Sequence, residues 1–211
     1  HVAQDAQPAS LVHAIAHAIN QALGNVGTTV VYTDPIEVSP VDQLASLREL
    51  AADMEAGRVE TLFILGANPV YTAPADLEFD RHLEKVKQRF HLGQYLDETA
   101  ALCQWHVPEA HYLESWGDVR AADGTVSLIQ PLIAPLHGGR TAYDVLGALG
   151  QQAGQSAYSI LRAYWQARLA PEGGPAFERQ WRRALHDGLI AGTAEPARPV
   201  KLAVLGDRVA E

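Results

Sequence analysis

The sequence predicts an α/β fold: a Rossmann-like, doubly wound, mainly parallel sheet with helices on both faces, followed by a helical C-terminal portion. Three observations carry that expectation. Through the middle of the chain, short apolar or β-branched runs alternate with stretches of helical periodicity, as crossover units require. The run Thr61 to Leu65 is almost continuously apolar, which suits a strand covered on both faces. Beyond Gly117 the alternation gives way to an extended, proline-interrupted stretch and then to helices.

Taken in order, Ser10 is positioned to cap a helix whose apolar residues Leu11, Ile15, Ala18, Ile19 and Ala22 recur at helical spacing, with Gly24 ending it. Thr29 to Tyr32 is a β-branched run and reads as a strand, broken by Asp34-Pro35. Leu44, Leu47, Leu50, Ala51 and Met54 mark a second helix, stopped at Gly57. The Thr61–Leu65 strand leads into Gly66-Ala67-Asn68-Pro69, a loop and a helix near Asp76 to Lys87. Phe90 to Gln94 reads as a strand, Asp97 to Cys103 as a short helix, and His106-Val107-Pro108 as an extended segment. Gly124 to Pro135 reads as a wrapping segment and not as a central strand. Helices fill Thr141 to His186, with breaks at Gly150, Gly154 and Pro171–Pro175, and Val200–Leu205 is compatible with a last strand. This divides the chain into an α/β domain over residues 1–155 and a helical extension over 156–211 packed on the same domain.

Bulk properties narrow the function. The chain has 211 residues, 47% hydrophobic and 19% charged, enough for a sizeable core. Its net charge of −9 argues against a nucleic-acid partner, which would need clustered Lys and Arg. No run of about 18 apolar residues exists to span a bilayer. The first residue is His1, so the sequence is expected to be part of a longer or processed product. Cys103 is the single cysteine: it cannot form an internal disulfide, nor supply the several thiolates an iron–sulfur cluster takes.

Several groups could carry chemistry. Gly66-Ala67-Asn68-Pro69 follows a strand, where α/β sheets offer ligand sites, although the same residues also serve an ordinary turn. Asp97 and Glu98 head a helix, as caps or as acid–base groups. His106, Glu109, His111 and Glu114 are the densest set of metal-capable side chains, but they fit no His-Glu-x-x-His pattern and Pro108 interrupts them. His13 and His17 share a helix face without an identifiable third ligand. Cys103, between Leu102 and Trp105, reads as a small core residue. Gly147 to Gly154 lacks the Gly-x-x-x-x-Gly-Lys pattern of a phosphate-binding loop. No catalytic residue and no metal site is assigned.

Three stretches resemble the third domain of the molybdopterin oxidoreductase superfamily. They are Gly66-Ala67-Asn68-Pro69 after its strand, Asp97-Glu98-Thr99-Ala100, and His106-Val107-Pro108 followed by Glu114. The longer run from Tyr95 to Asp118, with Ser127 to Leu136, is similar to the molybdopterin-like part of the iron–sulfur subunit of bacterial alternative complex III. The likeness extends from about Gln7 to Thr193. It implies that iron–sulfur clusters lie elsewhere in a longer polypeptide. It also implies a cluster-bearing domain of that polypeptide and haem-containing and membrane subunits as partners, and a place at the bacterial cell envelope, on the periplasmic side of the membrane.

The chain departs from catalytic members of the superfamily at two places. Ala67 stands where they usually carry an acidic residue, and Ala121-Ala122-Asp123-Gly124-Thr125 lacks the Asn and Arg of their Asn-x-Glu-Gly-Arg stretch. Two main readings follow. In the first, the segment is a non-catalytic scaffold in quinol-linked electron transfer, with no cofactor of its own. In the second, it is one domain of a catalytic molybdopterin-dependent oxidoreductase, and Gly66, Asn68, Asp97, Glu98 and Thr99 hold the guanosine end of molybdopterin guanine dinucleotide. A metallohydrolase using His106 and His111 is a minor third reading.

Overall fold

The computed structural model describes residues 6–150 and 152–200, with side chains from residue 12 onward. Helix α1 spans Ala6–Ala22 and therefore starts ahead of Ser10, which is not its cap. Gly24 follows it at φ 69°, the left-handed conformation that ends helices. The apolar side chains of Val12, Ile15 and Ile19 stay exposed on α1 instead of entering a core.

Thr29 to Tyr32 does not form the expected strand. The N–H groups of Thr28, Thr29 and Val30 all point at the carbonyl of Asn25, at 3.1, 3.0 and 3.0 Å. That turn leaves only an isolated bridge between Val26 and Val30. β-branched composition favours a strand only where a neighbouring edge is available to pair with.

Helix α2, Gln43–Glu55, is capped by Asp42, whose carboxylate accepts the Ala45 N–H at 2.9 Å. Strands β1 (Thr61–Leu65), β2 (Gln88–Gly93) and β3 (Trp105–Pro108) form a parallel sheet in the order β1-β2-β3. Between β1 and β2 lie α3 (Pro69–Thr72) and α4 (Phe79–Glu84). The helix expected from Asp76 to Lys87 is divided at Glu78, which adopts φ 45°. Helix α5, Glu98–Ala101, joins β2 to β3.

A first core joins α2, β1 and α4 through Ala51, Met54, Ile64, Phe79, Leu83 and Val86. Met54 and Leu83 are fully buried, each removing a side chain from water at a gain of roughly 2 kcal/mol. On the other face of the sheet, Phe63, Phe90 and Trp105 stack in register, with ring centroids 4.6 and 6.3 Å apart. Trp105 remains 63% exposed there. The expectation of helices on both faces is thus met on one face among the described residues.

The remainder is built on a second, antiparallel sheet. Strands β4 (Gly117–Arg120), β5 (Val126–Ile129) and β6 (Leu189–Ile190) pair in that order, so β5 is a central strand and not a wrapping segment. Pro131 and Pro135 lie past its end and leave its ladder intact. Helices α6 (Ala142–Leu149), α7 (Ala157–Leu169) and α8 (Gly174–Asp187) account for the expected helical region. Val126, Leu128, Leu161, Trp165, Phe177, Trp181, Ala184 and Ile190 form the second core, so α7 and α8 pack with this sheet.

The end of β3 is tied by backbone to the segment ahead of α6. Arg140 donates its N–H to the Pro108 carbonyl and accepts the Ala110 N–H, both at 2.8 Å. Among the described residues no helix is long and apolar enough to cross a membrane. From residue 201 onward, the expected Val200–Leu205 strand lies outside the described residues.

Candidate functional site

The site grows from the carboxyl ends of β1 and β2. The chain leaves β1 through Gly66, whose φ of 63° is accessible to glycine at little cost. A side chain there would also meet the Glu109 carboxylate, 3.5 Å from the position of a Cβ. Asn68 then begins α3, and its amide spans to the start of α5. Its Nδ2 donates to Glu98 Oε2 at 2.7 Å, and its Oδ1 accepts the Thr99 hydroxyl at 2.7 Å. Thr99 is fully buried, and its Oγ1 accepts the Val70 N–H at 3.1 Å. Asp97 caps α5 by accepting the Ala100 N–H at 2.8 Å.

All five residues singled out from the sequence, Gly66, Asn68, Asp97, Glu98 and Thr99, are therefore neighbours. The Asn68 amide is spent on Glu98 and Thr99, which locks two loops to each other, while Asp97 serves its own helix and Glu98 stays exposed. The exposed Glu98 carboxyl is held below the usual carboxylate range, chiefly by the Asn68 amide and then by its own backbone N–H.

Beneath this layer lies a residue that sequence reasoning passed over. His91, 1% exposed, contacts the Ala67 carbonyl through Nε2 at 3.1 Å and the His106 ring Nδ1 to Nδ1 at 3.0 Å. Its Nε2 also lies 3.9 Å from Asp97. The signal was faint: in Gln88-Arg89-Phe90-His91, His91 is one of several polar residues, and only its register opposite Ile64 turns it toward the helices. Glu109 completes the floor, and burial raises its carboxyl pKa while His91 opposes the rise.

The other candidates separate. His106 pairs with His91, whereas His111 accepts the Leu113 N–H at 3.2 Å in a capping box with Glu114. Among the described residues no three His, Cys, Asp or Glu side chains are grouped to hold a metal ion. His17 contacts the Tyr32 hydroxyl at 2.7 Å. Cys103 packs against the first core, and burial pushes its thiol pKa up, which opposes the thiolate a nucleophile needs.

The strand ends can be tested for fit to a phosphate-bearing pterin cofactor. The polar side chains that meet there are Asn68, His91, Asp97, Glu98, Thr99 and Glu109, three of them carboxyl groups, and Arg140 is bridged to Glu109 through the backbone. Diphosphates are held by backbone N–H groups and cationic side chains, and carboxylates repel them. The three carboxyl groups disfavour the anionic portion of such a group.

Fold and site together define a small parallel α/β module with cross-braced strand-end loops, joined to an antiparallel sheet with its own helices. No family model matches the chain. It is 35% identical over 107 residues to the menaquinone reductase, molybdopterin-binding-like subunit of Nitratidesulfovibrio vulgaris. That match takes in 49% of this chain and 16% of the relative, so it spans about a sixth of that protein's length. The resemblance to the molybdopterin oxidoreductase superfamily thus has a counterpart in a curated relative whose name is molybdopterin-binding-like. Among solved structures, acetylene hydratase from Pelobacter acetylenicus overlays 50% of this chain and 15% of its own, at 19% identity and a TM-score of 0.43.

Proposed function

We propose that this chain is a non-catalytic scaffold segment of a molybdopterin-oxidoreductase-like subunit in a respiratory complex, serving quinol-linked electron transfer without carrying electrons itself. The observation that carries the reading is the Asn68–Glu98–Thr99 brace. The Asn68 amide and the Thr99 hydroxyl are engaged in holding the loops, and the surrounding carboxyl groups disfavour a diphosphate. The likeness to a subunit named molybdopterin-binding-like supports the same reading.

In this role the segment belongs to a longer polypeptide with a cluster-bearing domain, of the kind found in the iron–sulfur subunit of alternative complex III. Haem-containing and membrane subunits are its neighbours, on the periplasmic side of a bacterial membrane. The module comes from the superfamily's third domain, and its rigid loops set the distance between neighbours. Metal and pterin analysis of the purified full-length polypeptide tests the proposal. Molybdenum and pterin below a tenth of stoichiometry are expected; one of each per polypeptide overturns it.

One observation favours the alternative, a catalytic oxidoreductase domain holding the guanosine end of molybdopterin guanine dinucleotide. Gly66 leaves the backbone approachable at the strand tip, and the exposed Glu98 carboxylate could accept from a base edge without any phosphate contact. The same metal and pterin analysis separates the two readings.

A further inference from the structure

A cleft of about 1200 Å³ opens over Phe63 of β1. Its walls come from distant stretches of the chain: Trp116 just ahead of β4, Ile133 beyond β5, Leu149 on α6 and Tyr158 on α7. Backbone and ring contacts hold those walls in place. Leu132 and Ile133 donate their N–H groups to the Leu113 carbonyl at 2.8 and 3.2 Å. The Trp116 and Tyr158 rings pack with centroids 4.7 Å apart. Ile133 and Leu149 are nevertheless 51% and 57% exposed, so apolar surface lines a concavity open to water. Concave, mainly apolar sites with a few polar groups are where proteins seat small ligands.

The charged groups of the cleft are not equivalent. Asp144 accepts the Thr141 N–H and hydroxyl at 2.7 and 2.8 Å, which closes the capping box of α6. Glu114 accepts the His111 N–H at 3.3 Å in a capping box of its own. Both carboxylates thus have donors within their own turns. Arg140 stands differently. Its backbone is fixed on both sides, by Pro108 and by Ala110. Gly139 before it approaches Ala110 so closely that a Cβ would sit 3.0 Å from the Ala110 Cα. Among the described residues the arginines paired with carboxylates are Arg58, Arg81, Arg120, Arg162, Arg183 and Arg198, and Arg140 is not one of them. A guanidinium on a rigid root, beside apolar walls, offers its planar fork to a carboxylate.

We propose that this cleft binds a small molecule with a flat apolar body and a single carboxylate. The body stacks against Phe63, Trp116 and Tyr158, and Arg140 receives the carboxylate. A neutral ligand forgoes that ion pair, and a cationic one meets like charge. The inference goes beyond the scaffold reading and does not depend on it, since none of Gly66, Asn68, Asp97, Glu98 and Thr99 lines the cleft.

Fluorescence titration and equilibrium dialysis of the full-length polypeptide with 1-pyrenebutyrate test this, with 1-pyrenebutanol as the neutral and 1-pyrenebutylamine as the cationic counterpart. A single saturable site is expected, holding the carboxylate at least about 10-fold more tightly than either counterpart. Arg140→Gln keeps the backbone bonds and should abolish that preference while leaving the alcohol's affinity unchanged. Ala148→Trp, on the α6 wall of the cleft, should block all the probes by filling it. Should Ala148→Trp fail to fold, the lost preference in Arg140→Gln decides alone. Absence of saturable pyrenebutyrate binding overturns the proposal, as does an equal or higher affinity for the alcohol or the amine. A carboxylate preference that survives Arg140→Gln overturns it as well.

Discussion

His91 and His106 meet Nδ1 to Nδ1 at 3.0 Å, and the Ala67 carbonyl at the far side of His91 decides which ring donates. A carbonyl only accepts, so His91 carries its hydrogen on Nε2 when neutral and offers Nδ1 as the acceptor. Neutral His106 must then carry its hydrogen on Nδ1. Nitrogen-15 NMR of the imidazoles at pH 8 should show these opposite tautomers, and the same tautomer in both rings would refute the arrangement.

Replacing His91 by Ala removes a fully buried ring and strands the Ala67 carbonyl. A loss of about 3 kcal/mol is expected in urea unfolding. His106, half-buried at the sheet edge, should cost less when truncated.

Gly93 is small because His91 lies across it. A Cβ at that position would sit 2.5 Å from His91 Cε1. Gly93→Ala should therefore destabilise the chain by about 1–3 kcal/mol, as overpacking does. Combining Gly93→Ala with His91→Ala should cost less than the sum, since the clash disappears with the ring.

Thr99→Val keeps the shape of a fully buried side chain but leaves the Val70 N–H and Asn68 Oδ1 without their partner. A cost of about 1–3 kcal/mol should appear in urea unfolding. Asn68→Ala should raise the Glu98 pKa toward that of an ordinary glutamate in a carbon-13 titration, because the Asn68 amide is the main cause of its lowering. The stability linked to that lowered pKa is present above the unfolded value and fades as pH falls through the acid range.

In the second core, the Asp118 carboxylate accepts from the Tyr143 hydroxyl at 2.6 Å and from Trp165 Nε1 at 2.8 Å. Burial first, and then the Asp118 hydrogen bond, push the Tyr143 pKa well above that of a free phenol. The folded state thus holds this proton more tightly than the unfolded chain, so stability is intact below about pH 10 and falls as pH rises beyond it. Alkaline unfolding curves should show that slope flattened in Tyr143→Phe.

Much of the first sheet was legible because its strands and helices follow simple periodicities. Leu44 to Met54 turns one stripe to the core, and Thr61–Leu65 admits no other element. Gly66, Asn68 and Asp97 to Thr99 come together because parallel strands bring their exit loops to one end. His91 was not legible, since its facing depends on register and not on residue type. The second sheet was hidden for another reason: β6 has two residues and pairs with β5 across about 60 intervening positions, a contact no local pattern reports. Thr29 to Tyr32 misled through propensity, where a turn around Asn25 took its N–H groups.

The proposed scaffold role requires that the strand-end loops, braced by Asn68, Glu98 and Thr99, do not hold the cofactor. Titrating the protein with guanosine diphosphate, which carries both the base and the diphosphate, while following the backbone amides of Gly66, Asn68, Glu98 and Thr99 by NMR tests it most directly. No saturable shift at these amides is the predicted result. A saturating, stoichiometric shift centred on them would contradict the account.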